Sequence, residues 1–309
     1  MTEASGILAH LVRRDPACRV VEDVHAWIGV HRDLGAPWET TVDRAIATGC
    51  AADRLGFAFA SGYHEALRAL VPALGDRAAS LCATEDGGAH PRAIGTRVEG
   101  VPPTLAMSGT KRWSTMSPAA EVLLIVASEG LDDLGRNRLA LWRIPANRAG
   151  VTIEPMDVTS FAPEIPHATV RLDRVAVSES ERMPGDGYAR YLKPFRTIED
   201  LHVHAAFLGW LATVARVNSW PRGVGAEVLM LLAALRGLAD QPRADAGTHL
   251  ALGGVIERSR AMIAACEPLW VHVDSEFRVR WERDRALLGV ASSAREKRFD
   301  SAWRVVRGA

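Results

Sequence analysis

The stretch Leu81-Cys-Ala-Thr-Glu-Asp-Gly-Gly-Ala-His90 runs from an apolar strand into a hydroxyl, a carboxylate and a glycine-rich turn. Glycines at such a turn let the backbone come close to a planar or phosphorylated ligand. Farther on, Met107-Ser-Gly-Thr-Lys-Arg-Trp-Ser-Thr115 sets an indole beside two hydroxyls on a second strand-like segment. Taken singly, the segments read equally well as two β-turns and an ordinary half-buried tryptophan, Trp113, with no ligand. Together they offer a stacking surface and hydrogen-bonding groups.

Two Glu-x-x-His sequences, Glu22 to His25 and Glu199 to His202, have the spacing that projects metal ligands from one helix face. A bundle metal site needs two further inward glutamates, so these pairs read as chance and no metal is expected. His202 and His204 fall on diverging helix faces and read as structural or exposed. Cys18, Cys50, Cys82 and Cys266 lie far apart with no ligand or disulfide spacing. No GxGxxG, Walker A or GxSxG motif occurs.

The elements that must carry these groups change character along the chain. Thr2 to Leu74 has helical apolar spacing, with boundaries expected near Pro16, Pro37 and Pro72. Between Ser80 and Val177 short β-branched runs (Val122–Ala127, Leu139–Ile144, Val151–Ile153, Ala168–Leu172) alternate with turn residues. Met-Pro-Gly-Asp-Gly-Tyr188 closes that region, and Tyr191 to Val306 returns to long helices. The expected fold is α+β and multidomain: N-terminal helices at 1–79, a central β domain at 80–186 and a C-terminal four-helix bundle at 187–309.

The 309 residues carry 37 basic and 37 acidic side chains, a net charge of zero that favours neither nucleic acid nor an anionic membrane. The longest largely apolar run, Ala205 to Ala215, is far short of the roughly 20 residues a spanning helix needs. The N-terminus lacks the basic start and apolar core of an export signal. A cytoplasmic protein with reduced thiols is expected.

The two motifs, in this order and at this separation, resemble those of the acyl-CoA dehydrogenase family, whose central β domain opens with a TEP-type motif and continues with G-x-K-x-W-[IS]-[ST]. The resemblance runs from about Gly56 to Arg304, through the Pro-Gly-Asp-Gly-Tyr turn to Ala205–Gly209. It implies bound FAD. Thr84, with backbone groups of Leu81 and Ala83, would meet the polar edge of the flavin. Trp113 would cover the ring, with Ser114 beside it and Thr115 near N5.

Three departures bear on what carries over. His90-Pro91 stands where the family has a Ser-Asp pair, which makes His90 the substrate-side candidate. Asn218-Ser-Trp-Pro-Arg-Gly-Val-Gly225 stands where the family has Arg-x-x-Phe-Gly, with Arg222 as the substitute for its phosphate-binding arginine. The sequence ends at Ala309, before the segment in which many members place a carboxylate base. One branch takes that base from the first long bundle helix instead, and the register fixed by Gly209 puts Glu199 there. The resemblance therefore implies FAD-dependent α,β-oxidation of an acyl-CoA or carrier-bound acyl thioester, with Glu199 as base and an electron acceptor such as another flavoprotein. It also implies a homo-oligomer or a hetero-oligomer with a homologue. The alternatives are a non-catalytic or half-active subunit pairing with a full-length homologue, and a flavin-dependent oxygenase on the same scaffold.

Overall fold

A computed structural model describes residues 6–13 and 17–308. Pro16 and the expected helix start at Thr2 lie outside the described residues. The chain divides into two compact units: Met1–Ala69 with Ser160–Ala162 and Thr197–Ala309, and Leu70–Thr159 with Pro163–Arg196.

The first unit is helical. It contains α1 (Ile7–Arg13), α2 (Val24–Gly35), α3 (Thr41–Gly49) and α4 (Leu55–Leu70), followed by α5 (Lys193–Val217), α6 (Arg222–Ala239), α7 (Ala246–Ala265), α8 (Ser275–Asp284) and α9 (Ser292–Val306). Side-chain caps start several of them: Asp23 Oδ1 accepts from Ala26 N-H, Thr40 Oγ1 from Asp43 N-H, and Asp245 Oδ1 from Gly247 N-H. The centre of this unit is α5, whose residues 200–211 are all buried. A helix apolar on every side is surrounded on every side. Its neighbour α3 comes close enough that a Cβ on Gly49 would sit 2.2 Å from the Ala206 carbonyl oxygen, and one on Gly209 would sit 2.5 Å from that of Ile46. The glycine that sets the sequence register is thus a helix-contact glycine.

Buried charge in this unit is paired. Asp200 is gripped by Arg295 at 2.7 Å and by Arg298, Asp43 by Arg236 at 2.6 Å, and Asp53 by Arg54 at 2.7 Å. Trp210, Trp270 and Trp281 stack, the last two with ring centres 4.6 Å apart and planes 4° off parallel, while Trp220 meets Trp270 edge-on.

The second unit is a curled seven-stranded sheet with β1 (Ala79–Cys82), β2 (Arg97–Val101), β3 (Thr104–Thr115), β4 (Val122–Leu131), β5 (Asn137–Pro145), β6 (Val151–Pro155) and β7 (His167–Val177). Its order is β1-β4-β2-β3-β7-β6, with β5 also on β4. The β1–β4 pairing is parallel and buried, and β4 reads accordingly as a continuous apolar run. Met107, Leu123, Ile125, Trp142, Val170 and Val175 are among the residues filling its core. Each of the four β-branched runs singled out above lies within one of these strands. Asp186 Oδ1 accepts from the backbone N-H groups of Tyr188 and Ala189, and a π-helical turn, Tyr188–Leu192, leads into α5.

No helix among the described residues is long and apolar enough to cross a membrane. The four cysteines are free thiols.

Candidate functional site

Both motif segments lie in the β unit, and the curl of the sheet brings them together. Ser80 Oγ donates to the Thr115 carbonyl at 2.7 Å, and the backbone N-H of Arg112 donates to the Thr84 carbonyl at 2.9 Å. Lys111, with no exposed surface, sends its ammonium to Glu85 Oε1 at 2.6 Å and to the Ala83 carbonyl at 3.3 Å. Glu85 accepts in addition from Gly95 N-H at 2.8 Å and Thr96 N-H at 3.0 Å. The Lys111 charge and these donors hold the Glu85 carboxyl below its usual range against the opposing effect of burial. Burial pushes the Lys111 ammonium down, and Glu85 counters it.

Between Lys111 and Ser114 the β3–β7 register slips: Lys111 faces Val170 and Ser114 faces Ala168, leaving two residues opposite one. Such a bulge re-aims a side chain. At this one, Trp113 takes φ of +51°, a left-handed conformation that costs a bulky L-residue about 1–2 kcal/mol. The indole it projects is 53 % exposed. Arg112 lies over the indole at 5.1 Å and reaches Asp86 at 3.0 Å.

The hydroxyls of Thr84 and Thr115, both half-buried, make no hydrogen bond within the described residues. Ser114 is buried beside the Cys82 thiol, which burial pushes up. Leu81 is half-buried and pairs with Leu124 of β4. The structure thus brings Leu81, Ala83, Thr84, Trp113, Ser114 and Thr115 into one region of the sheet. His90 is exposed on the loop that follows, where its Nδ1 accepts from Arg92 N-H at 3.2 Å and caps a short turn.

Glu199 belongs to the helical unit, half-buried on α5 ahead of Asp200. Its partner in the Glu-x-x-His pair, His202, is buried and committed elsewhere: Nδ1 donates to the Ile198 carbonyl at 2.8 Å and Nε2 meets Thr41 Oγ1 at 2.9 Å. His204 is buried as well, and burial pushes both imidazoles down to about 4. Glu22 and His25 are exposed on the other pair. Arg222 is exposed at the first turn of α6.

A cluster that sequence reasoning missed lies inside the helical unit. His31 Nε2 meets Glu65 Oε1 at 2.9 Å, His31 Nδ1 meets Ser61 Oγ at 3.2 Å, and Trp27 Nε1 donates to the same hydroxyl at 3.1 Å. Among the described residues, His31, His64 and Glu65 are the group whose ligand atoms converge, within 4.8 Å. Arg44 occupies the same Glu65 oxygen at 3.1 Å and Arg68 stands 4.0 Å away, so the carboxylate is already neutralised by guanidinium. The Ser-His-Glu order resembles a hydrolytic relay but has no access for substrate, since Ser61 and Glu65 are fully buried. Its sequence signal is faint: Ser61, His64 and Glu65 are polar positions inside the largely apolar α4.

No family profile and no curated protein matches the chain. Solved structures do. A FAD-dependent dehydrogenase superposes with TM-score 0.71 over 100% of this chain and 98% of that one at 14% identity. The prolyl acyl carrier protein oxidase AnaB gives 0.68 over 96% of both chains at 15% identity. Glutaryl-CoA dehydrogenase from Mycobacterium smegmatis, in complex with FADH2, gives 0.67 over 98% and 93% at 14% identity. With N-terminal helices, a curled sheet and a C-terminal helical region, the chain has an acyl-CoA dehydrogenase-like fold.

Proposed function

We propose that the chain is a FAD-dependent oxidoreductase acting on an acyl thioester carried by CoA or by a carrier protein. The observation that carries this reading is Trp113. A strained bulge that holds an indole in solvent is costly unless a flat partner covers it. Neighbours of the same fold that hold FAD or FADH2 support the choice of partner.

The residues present fit the ring portion of FAD: an exposed indole for its face, and two hydroxyls without partners among the described residues for its polar edge. In this reading Thr84 and Thr115 hydrogen-bond that edge, Trp113 excludes water from one face, and the Lys111–Glu85 pair fixes the backbone beneath. Bound FAD supplies a two-electron acceptor for the substrate's β hydride. Glu199 takes the α proton on its carboxylate, Arg222 contributes positive charge toward phosphate, and an external electron acceptor such as another flavoprotein completes turnover. His90 serves the thioester side. The chain works as a homo-oligomer or beside a homologue.

The capped turn at His90-Pro91 favours a second reading, in which the chain is a half-active or non-catalytic partner subunit, because a side chain committed to its own loop is poorly placed to grip substrate. One experiment separates the readings. Purified protein reconstituted with FAD should show shifted visible flavin bands, weakened by Thr84→Ala and Trp113→Ala, and bleaching by acyl-CoA. Binding without bleaching supports the partner-subunit reading, and no binding removes the oxidoreductase reading in favour of a non-catalytic subunit.

A further inference from the structure

Across the sheet from Thr115, within the β unit, stands His167, a residue that neither motif contains. The two are directly opposed in the β3–β7 ladder, where the register is regular from Ser114–Ala168 to Thr115–His167. Met116 N-H donates to the Pro166 carbonyl at 2.8 Å, one residue beyond the pair. Thr115 and His167 are therefore a non-hydrogen-bonded pair, the kind whose side chains stand closest, with Cα atoms about 4.5 Å apart. Their side chains share one face of the sheet. Both are half-buried, whereas Ser114 and Ala168 beside them are buried.

The imidazole is held in one orientation. Met156 N-H donates to the His167 carbonyl at 2.9 Å, and the ring Nδ1 lies 3.1 Å from the Ile165 carbonyl. A carbonyl only accepts, so Nδ1 carries the ring proton. Burial pushes the imidazole below its ordinary value, which keeps it neutral at pH 7. Nε2 is then a bare lone pair, and it meets no donor among the described residues. The Thr115 hydroxyl beside it is equally without a partner there. A hydroxyl and an imidazole lone pair, side by side, make a matched donor and acceptor.

An oxidised flavin offers only acceptors at the N5 end of its edge, and a hydroxyl can donate to them. Reduction places an N-H at N5, a donor that needs an acceptor. We propose that His167 is a third contact to the flavin edge, its Nε2 accepting from the N5 N-H of reduced FAD while Thr115 serves the oxidised form. This contact rests on the flavin reading above and deepens it, because an acceptor that finds its donor only after reduction biases the site toward the reduced state. Both residues and their supports lie in the β unit.

Two substitutions separate the roles of the two ring nitrogens. His167→Asn keeps a donor for the Ile165 carbonyl and removes the acceptor at the Nε2 position, while His167→Gln reaches that position with an oxygen. In the full chain reconstituted with FAD, a dye-equilibrated reductive titration should give a midpoint potential lower by about 30 mV or more in His167→Asn, the two-electron equivalent of a tenfold loss of affinity for the reduced form over the oxidised. His167→Gln should stay near wild type. The dissociation constant for oxidised FAD, read by flavin fluorescence, should change by less than about twofold in either variant. A further measurement needs no variant: in wild type labelled with 15N-histidine, reduction of bound FAD should move one unprotonated imidazole nitrogen signal. A wild-type potential in His167→Asn, equal losses of affinity for oxidised and reduced FAD, or a nitrogen spectrum unchanged by reduction overturns this contact and leaves the flavin reading standing. Failure of the wild type to bind FAD removes the flavin reading and the contact with it.

Discussion

Lys111 and Glu85 form the joint between the two motif segments, and breaking it has a calculable cost. The ammonium is fully buried and the carboxylate nearly so, 2.6 Å apart. Removing one member of a buried pair costs about 3–5 kcal/mol, because the survivor keeps its desolvation penalty. Lys111→Met belongs at the lower end, since Glu85 retains the Gly95 and Thr96 N-H groups and some access to water. Glu85→Gln leaves the ammonium with the Ala83 carbonyl at 3.3 Å and a neutral amide, so at least as much is lost. The double variant removes both charges and should cost about 3–4 kcal/mol instead of the sum, a coupling of about 2–3 kcal/mol. Urea unfolding followed by circular dichroism on the wild type, both singles and the double closes the cycle. Additivity within 0.5 kcal/mol, or a Lys111→Met variant as stable as wild type, would refute the idea that the pair joins the segments.

Stability of the helical unit should fall as the solution is acidified. His64 is held near 3 by burial and by the neighbouring His31, and His202 and His204 near 4, each from an ordinary value of 6.5, so the unfolded chain binds more protons and acid favours it. Glu65, lowered from 4.5 to about 2 by His31, His64 and Arg44 against its burial, acts in the same direction at lower pH. Melting curves should therefore decline below about pH 6.5 and steepen to pH 4, by up to roughly 2–3 kcal/mol per imidazole at pH 4.5; a flat profile over that range contradicts the buried, neutral state. Gly49→Ala places a methyl 2.2 Å from the Ala206 oxygen and should cost about 3 kcal/mol or prevent recovery of soluble protein, read by thermal unfolding. Glu199→Gln should preserve FAD binding and cut the rate of flavin reduction by acyl-CoA about 10²-fold or more in stopped flow, whereas a wild-type rate puts the base elsewhere. Trp113→Gly should leave thermal stability unchanged or raise it by up to about 1 kcal/mol, because relief of the left-handed strain offsets glycine's added chain entropy, while FAD binding is lost; a loss above 2 kcal/mol would make Trp113 a packing residue.

Much of the β unit was legible because its strands announce themselves locally. Val122–Ala127 and Leu139–Ile144 are apolar runs between turn residues, and they became the paired core of β4 and β5. β2 was not legible. Arg97-Val-Glu-Gly-Val101 mixes charge and glycine, is largely exposed, and exists as a strand through its ladder with β3. The motif residues Thr84 and Trp113 were readable by type and spacing, yet the bulge that exposes the indole depends on which residues of β7 stand opposite. His31 and Glu65 escaped notice because they are 34 residues apart on different helices, and nothing local marks an imidazole that a distant carboxylate will claim. The burial of His202 and His204 follows from α5 being surrounded, which its overall apolarity indicates and its individual histidines do not.

The helical cluster and the β-unit motif region differ in how the cost of their polar and strained groups is met. In the helical cluster, Glu65 and His31 are desolvated, but partners come from within: Arg44 and His31 meet the same carboxylate oxygen, and Ser61, which accepts from Trp27 Nε1, meets the other ring nitrogen of His31. That arrangement gives substrate no approach, although the second Glu65 oxygen and His64 Nε2 are left without a hydrogen-bond partner among the described residues. In the β unit the costs stay open. A tryptophan is held in a left-handed bulge with half its surface in water, and two threonine hydroxyls beside the joined segments have no partner among the described residues. A chain gains little in stability from such an arrangement by itself, and this open cost is the physical support for the proposed flavin reading.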